Sequence, residues 1–223
     1  MRVPFLGPAG MYTLYYYPSN ANLAPHMLLE EMGVPYRLAL VDREHNAHKT
    51  PEYLAMNPAG LIPVLIDGEM ALPEAAAICL HLVDKHPDKG LAPPVGTPER
   101  SAFYRWLIYL TNTLQAELIV YFYPERLADD EAMAAAVKQR AEQRVGGMLD
   151  ILEAQMRKSG GPWLLGQRFS AVDPYLFMLC RWTRGMQNPA RNRPLLKAFV
   201  ERMMARPAIQ AAHDQEGLKP PYF

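Results

Sequence analysis

The stretch that decides the fold is residues 57–68, which read NPAGLIPVLIDG, followed by LPEA at residues 72–75. Asn-Pro and Ala-Gly form turns, so they predict the end of the preceding element. The apolar run after them predicts a short buried strand, and Asp67-Gly68 predicts a hairpin turn into a second strand. Pro63 must stand at a strand start, an edge or a bulge, because proline has no backbone N–H to donate to a sheet.

The bond between Ile62 and Pro63 is a candidate cis peptide, because cis bonds are concentrated at X-Pro steps in tight turns. A cis bond here would turn the backbone N–H and C=O of Ile62 out of the sheet, where a bound peptide could pair with them. Pro73-Glu74 predicts the start of a helix, with the proline in its first turn. The N–H groups of that turn lack helical partners and would attract an anion.

The bulk composition excludes several classes of function. The length of 223 residues suits one large or two small domains, and half of the residues are apolar, which is enough for a hydrophobic core. Lys+Arg and Asp+Glu both number 23, so the sequence has no basic footprint for nucleic acid. No apolar run is long enough to span a membrane and no signal peptide is evident, so we expect a cytoplasmic protein. Cys79 and Cys180 lie in apolar surroundings and are expected to be buried, reduced thiols.

Local signals divide the chain into four parts, beginning with an N-terminal extension at residues 1–10. Residues 11–86 follow a β-α-β-α-β-β-α order, and their first β-α-β unit predicts parallel strands joined by a crossover helix. Residues 87–97 are rich in proline and glycine and are predicted to be a linker. Residues 98–223 carry helical patterns and predict an all-α domain.

The bounds of individual elements follow from turn formers, caps and apolar spacing. A capping box is predicted at Ser170, the N-cap, and Asp173, which begin the most apolar helix. The other predicted strands and helices are Tyr12–Tyr16, Leu23–Met32, Tyr36–Val41, Pro51–Met56, Glu74–His86, Pro98–Tyr123, Asp129–Lys158, Leu195–Ala205 and Pro207–Gln215.

This plan resembles the glutathione transferase family, and most closely its bacterial beta class. The likeness covers nearly all of residues 11–215. It rests on Leu14-Tyr15-Tyr16, Leu23-Ala24-Pro25-His26, Leu29-Glu30-Glu31, the Asn57–Leu65 run, Glu74, Ile78, and Ser170 with Asp173. The resemblance implies a thioredoxin-like domain that binds glutathione, a helical bundle after it, and assembly as a two-fold dimer.

The resemblance also implies where glutathione would bind. In this family the residue before a cis proline holds the cysteinyl backbone, and an acid-serine pair at the next helix start holds the γ-glutamyl end. The implied contacts in this chain are Ile62, Pro63, Glu74 and Ala75, with Lys49 as a further one. Ala75 replaces the family's serine, so its backbone N–H remains but the hydroxyl contact is lost.

A glutathione transferase must hold the glutathione sulfur as a thiolate, which is the nucleophile. The family position of the beta-class cysteine is Ala21, which excludes mixed-disulfide chemistry there. We predict that Asn22, at a helix start, donates to the thiolate. Asn22 fits an N-cap equally well. Ser19 and Tyr16 are further catalytic candidates, and Tyr16 also fits an ordinary strand aromatic.

The second substrate would be a small hydrophobic electrophile held between the domains by Tyr17, Tyr109 and Gln115. Gln115 occupies the position of a beta-class histidine and can form hydrogen bonds, but it cannot act as an acid or a base. The six histidines are not at metal-ligand spacing, so no metal is expected and glutathione is the only co-substrate implied.

The predicted function is therefore glutathione-dependent attack on a hydrophobic electrophile. A second interpretation is a non-catalytic binding or scaffold protein with a degraded glutathione site, because Ala21, Ala75 and Leu61 all depart from the family pattern. A third is glutathione-dependent disulfide reduction without a protein cysteine.

Overall fold

The structure is a computed structural model, and it describes residues 10–223. The extension predicted at residues 1–10 thus lies almost wholly outside the described residues. The chain forms two compact units. The first comprises the chain up to Gly90 together with Ala205–Lys219, and the second comprises Leu91–Met204 with Pro220–Phe223.

The first unit is built on a four-stranded sheet in the order β2-β1-β3-β4. Its strands and helices are β1 (Tyr12–Tyr16), α1 (Leu23–Met32), β2 (Tyr36–Leu40), α2 (Pro51–Met56), β3 (Val64–Asp67), β4 (Met70–Pro73), α3 (Ala75–Lys85) and α9 (Pro207–Gln215). Strands β1 and β2 are parallel, as the crossover helix predicts, whereas β1–β3 and β3–β4 are antiparallel. The hairpin predicted at Asp67-Gly68 is confirmed.

The predicted start of the third helix is wrong by one residue. Pro73 is the last residue of β4, where it pairs with Val64, and it is not in the first turn of α3. The whole change of direction from strand to helix falls on Glu74, which has φ 72° and ψ 111°. A positive φ is uncommon for a residue with a side chain, and such outliers concentrate at ligand sites.

The second unit is helical. Its helices are α4 (Pro98–Ile108), a π-helical segment (Tyr109–Gln115), α5 (Ala116–Phe122), α6 (Glu131–Ser159), α7 (Val172–Trp182) and α8 (Pro194–Met204). Side chains of Thr97 and Asp130 accept the N-terminal backbone N–H groups of α4 and α6. The single helix predicted over Pro98–Tyr123 is interrupted by the π-helical segment, a geometry that often marks functional sites.

The capping box predicted for α7 is half realised. The Asp173 carboxylate accepts the backbone N–H of Ser170 at 2.8 Å, which is the reciprocal half of the motif. The Asp173 N–H, however, donates to the backbone carbonyl of Ser170 at 2.9 Å. The helix begins at Val172 with Ala171 as its N-cap, so Ser170 is not the N-cap.

Helix α9 belongs to the first unit, whereas the sequence predicts it within the all-α domain at residues 98–223. It packs along α1, where Arg206 forms a two-pronged ion pair with Glu31 and Gln215 donates to Glu30 at 2.7 Å. Sequence periodicity could not place it, because the polar partners lie on an element about 180 residues earlier in the chain.

Asp67 ties the hairpin to α3. Its carboxylate accepts from His81 at 2.7 Å and from Lys85 at 2.6 Å. Burial by itself raises the pKa of Asp67, but the hydrogen bonds from Lys85 and His81 outweigh it and leave that pKa below its usual value. A carboxyl group whose pKa is lower in the folded state than in the unfolded state stabilises the fold when the pH is above its unfolded-state pKa. That stabilisation is lost as the pH falls through its folded-state pKa.

We therefore expect Asp67→Asn to lower the free energy of unfolding by about 1 kcal/mol at neutral pH, since the pair is partly exposed. The difference from wild type should shrink as the pH falls below about 4, where Asp67 loses its charge. Urea unfolding at neutral pH and near pH ~3 measures both values. The exposed Asp88→Asn is the matched control, and an Asp67→Asn deficit that does not change with pH would contradict this account.

Candidate functional site

The pairing of the strands brings the predicted glutathione contacts together at one end of the sheet. Tyr15 pairs with Val64, which in turn pairs with Pro73. The residues immediately beyond these pairs are the loop at residues 17–22, the Ile62-Pro63 step and Glu74. The loop that precedes α1, the turn that precedes β3 and the start of α3 therefore lie at the same end of the sheet.

The Ile62-Pro63 peptide bond is cis. The turn before it is held by the carbonyl of Leu61, which accepts from the Tyr53 hydroxyl at 2.8 Å and from the Asn57 amide at 2.9 Å. Within residues 10–223 no hydrogen bond uses the backbone N–H or C=O of Ile62. Ile62 thus presents one backbone donor and one backbone acceptor, the pair that an extended peptide backbone requires.

The start of α3 presents further donors. Glu74 is exposed, and its side chain does not cap the helix. Among the described residues, the N–H groups of Ala75 and Ala76 have no partner. These N–H groups stand at the positive end of the helix dipole, where they can hold a carboxylate, and the Glu74 carboxylate can hold an amine.

Lys49 lies beside the same turn. Its ammonium is 3.4 Å from the carbonyl oxygens of both Ala59 and Gly60. Gly60 has φ 61°, and a Cβ there would come within 2.8 Å of both the His48 carbonyl oxygen and the Lys49 ammonium. Glycine is therefore needed at residue 60 for Lys49 to reach this position.

Asn22 is placed differently from its predicted role. It is fully buried, and both ends of its amide have partners inside the first unit. The side-chain oxygen accepts the Tyr17 N–H at 3.1 Å, and the side-chain nitrogen donates to Glu216 at 2.7 Å. It makes no side-chain N-cap hydrogen bond either. In this arrangement the Asn22 side chain shapes the loop, and its buried amide is held by partners within the protein.

Glu216 is the residue that sequence reasoning missed. Its buried carboxyl group receives hydrogen bonds from the Ser19 N–H at 3.0 Å, from Asn22, and from Nδ1 of His26 at 2.8 Å. One signal could have found it: an acid directly after the C-terminus of α9, where the helix dipole disfavours negative charge. An acid in such a place needs partners elsewhere in the fold.

The other catalytic candidates occupy the same loop and strand. Ser19 has φ 65° and its backbone is fixed by Glu216. The pKa of Tyr16 is raised, by burial first and by Glu216 second, so its hydroxyl stays neutral at neutral pH. Alternation along β1 puts Tyr16 on the face opposite Tyr15 and Tyr17, which pack against a cluster that includes Ile62.

The candidates for the second substrate are split between the units. Tyr17, in the first unit, lies under Arg43, with its hydroxyl 3.4 Å from Glu44. In the second unit, the Tyr109 hydroxyl donates to the Met148 carbonyl at 3.3 Å, and Gln115 accepts from the Tyr175 hydroxyl at 2.5 Å. Tyr109 and Gln115 are the two ends of the π-helical segment.

Comparison with known proteins identifies the family. A model of the glutathione S-transferase N-terminal domain matches residues 10–84, and a model of the C-terminal domain matches residues 114–214. A curated relative, glutathione S-transferase GstA of Escherichia coli O157:H7, is 31% identical over 208 residues, which are 92% of this chain and 99% of the relative. The chain belongs to the glutathione S-transferase family.

Solved structures of this family share the fold over most of the chain. A glutathione S-transferase from Xylella fastidiosa has a TM-score of 0.85 at 31% identity and covers 93% of this chain and 100% of its own. A glutathione transferase homologue from Sulfitobacter, solved with bound glutathione, has a TM-score of 0.84 at 28% identity, with 94% and 100% covered. The family and fold predicted from the sequence are thus confirmed, and the first unit is the thioredoxin-like half of the transferase.

Three other observations bear on the chemistry available to this transferase. Cys79 and Cys180 are free and buried, as predicted, and burial raises the pKa of both thiols, that of Cys180 to about 12. Within residues 10–223 no group of three or more His, Cys, Asp or Glu residues is arranged to hold a metal. None of the helices in the same range is both long enough and apolar enough to cross a bilayer.

Proposed function

We propose that this transferase binds glutathione at the edge of the sheet formed by Ile62, Pro63, Glu74 and Ala75, and ionises its thiol for attack on a hydrophobic electrophile. The observation that carries the proposal is the unpaired backbone N–H and C=O of Ile62 beside the unpaired N–H groups of α3. A tripeptide with a carboxylate and an amine at its γ-glutamyl end can use all of these groups at once.

The remaining contacts follow from charge. The glycyl carboxylate is assigned to the Lys49 ammonium, which lies 3.4 Å from the carbonyl oxygens of Ala59 and Gly60. The electrophile is assigned to Tyr109 and Gln115 within the second unit, whose ring and amide suit an apolar molecule with one polar group. Detoxification of such electrophiles is the role that fits this chemistry.

We also propose that the transferase is cytoplasmic and dimeric. The two free cysteines suit a reducing compartment. Tyr104 and Ile108, four residues apart on α4, and Leu61 are large apolar side chains at least 40% exposed. Apolar residues gathered on one helix face are typical of a surface that a second copy covers.

The test is isothermal titration of the wild-type protein with glutathione. We expect measurable heat at millimolar glutathione. Glu74→Gln should bind roughly fivefold more weakly, because an exposed charge pair contributes about 1 kcal/mol. Glu69→Gln, another exposed glutamate, in the hairpin turn, is the matched control. No heat with wild type would overturn the proposal.

That negative result would favour the second candidate, a binding or scaffold protein. The observation in its favour is the burial of Asn22 in the contact with Glu216, which removes the donor predicted to activate the thiol. Retention on immobilised glutathione separates the two candidates, because a scaffold with a degraded site would pass through unbound.

A further inference from the structure

The burial of Asn22 leaves the thiol without its predicted donor, and Asn20 in the same loop offers another. Asn20 is half-buried. Its backbone N–H donates to Tyr17 at 3.1 Å, its carbonyl accepts the Leu23 N–H at 3.1 Å, and its side-chain oxygen accepts the Ala21 N–H at 2.8 Å. Within residues 10–223 only the side-chain nitrogen of Asn20 has no partner.

We propose that the Asn20 side-chain amide nitrogen donates a hydrogen bond to the sulfur of bound glutathione, which makes Asn20 the catalytic residue that stabilises the thiolate. This assignment rests on the proposed glutathione binding. The contact with the Ala21 N–H fixes the amide through its oxygen, so the NH₂ group is oriented without support from any other side chain. Such preorganisation is what a donor to a developing negative charge requires.

The start of α1 supports the same assignment. Within the described residues, the backbone N–H groups of Asn22 and Ala24 also have no partner. They stand at the positive end of the α1 dipole, directly after Asn20, and add to the stabilisation of an anion. In the same loop, the Ser19 N–H and the Asn22 side-chain nitrogen already donate to Glu216.

The proton balance of the step is simple. Asparagine cannot accept a proton, so the proton of the glutathione S–H bond leaves to solvent water, and both electrons of that bond stay on sulfur as the thiolate. Asn20 lowers the free energy of this thiolate relative to the thiol, because a hydrogen bond to a charged acceptor is stronger than one to a neutral acceptor. Tyr16 is a poorer donor for this sulfur, since it lies on the other face of β1 from Tyr17 and the Ile62 cluster.

The experiment is a pH titration of the thiolate ultraviolet absorbance of glutathione bound to wild type, Asn20→Ala and Asn20→Asp. Asn20→Asp is the sharper variant, because aspartate keeps the oxygen that accepts the Ala21 N–H and replaces only the NH₂ donor. We expect the pKa of the bound thiol to rise by about one to two units in Asn20→Ala, and by more in Asn20→Asp, where a carboxylate faces the sulfur.

Two controls separate this assignment from a structural role and from the proposed function. Both Asn20 variants should bind S-methylglutathione, which has no ionisable thiol, within about twofold of wild type. Asn192→Asp, an exposed residue of the second unit, makes the same charge change and should leave the thiol pKa unaltered. A wild-type pKa in both Asn20 variants would overturn the assignment, whereas failure of wild type to bind glutathione would overturn the proposed function and the assignment with it.

Discussion

Replacing Glu216 with alanine is expected to lower the free energy of unfolding by about 4 kcal/mol, because it removes a fully buried carboxyl group with three donors. The Ser19 N–H, the Asn22 amide and Nδ1 of His26 would all lose their partner at once. Each buried donor that is left unpaired costs about 1–3 kcal/mol. The total exceeds the loss from an ordinary core truncation only if the loop cannot rearrange to give these donors new partners.

The same variant should weaken glutathione binding, because Ser19 and Asn22 set the loop at residues 17–22 through this carboxyl group. Urea unfolding measures the first effect, and titration with glutathione at a temperature where the variant is folded measures the second. Glu216→Gln keeps the shape of the side chain and one acceptor oxygen. It should therefore lose roughly half as much stability as Glu216→Ala.

Asp214→Ala is the matched control for Glu216, since Asp214 is an exposed acid two residues earlier in the same segment. It should change the free energy of unfolding by no more than about 0.5 kcal/mol. An equal loss in the two variants would show that the damage comes from α9 itself and would contradict a special role for the Glu216 contacts.

The second large effect is expected at Asp173, in the other unit. Asp173→Ala should lower the free energy of unfolding by about 3 kcal/mol. The carboxylate is fully buried and accepts two backbone N–H groups, that of Leu164 at 2.9 Å and that of Ser170 at 2.8 Å. It thereby fixes both the start of α7, the most buried helix of the unit, and the turn nine residues before it.

Asp173→Asn is the informative companion variant. Asparagine keeps one acceptor and places an NH₂ group against a backbone N–H, so it should recover little of the lost stability. Asp129→Ala, an exposed acid just before α6, is the control and should be close to neutral. Ellipticity and fluorescence during urea unfolding measure the loss, and a Ser170→Ala variant as damaging as Asp173→Ala would move the key contact to the hydroxyl group.

The elements that could be predicted from the sequence are those specified by neighbouring residues. The Asp67-Gly68 hairpin depends on a glycine with φ 60°, and the end of α1 depends on Gly33 with φ 61°. Each signal sits next to the feature it determines. The resemblance located the Ile62-Pro63 step for the same reason, because the sequence motif and the backbone conformation that it determines lie in the same segment.

The candidate site could not be predicted to the same depth, because its decisive contacts join distant parts of the chain. Asn22 reads as a free donor at a helix start, but its partner Glu216 lies 194 residues away. Glu74 reads as an ordinary first-turn acid, but it follows directly after Pro73, which pairs with Val64, and it has a positive φ of 72°. The Asn20 side chain is distinguished only by its contact with the Ala21 N–H, which binds the amide oxygen and not the nitrogen.

The return of α9 to the first unit makes the thioredoxin-like half a discontinuous piece of chain. A truncated protein that ended at Gly90 would expose His26 and Asn22 with nothing to replace the missing carboxyl group. On the ribosome, the loop at residues 17–22 therefore cannot reach its final conformation until residues 205–219 have emerged. A chimaera made by exchanging N-terminal halves of two transferases at the linker would likewise separate the loop at residues 17–22 from Glu216, which holds it.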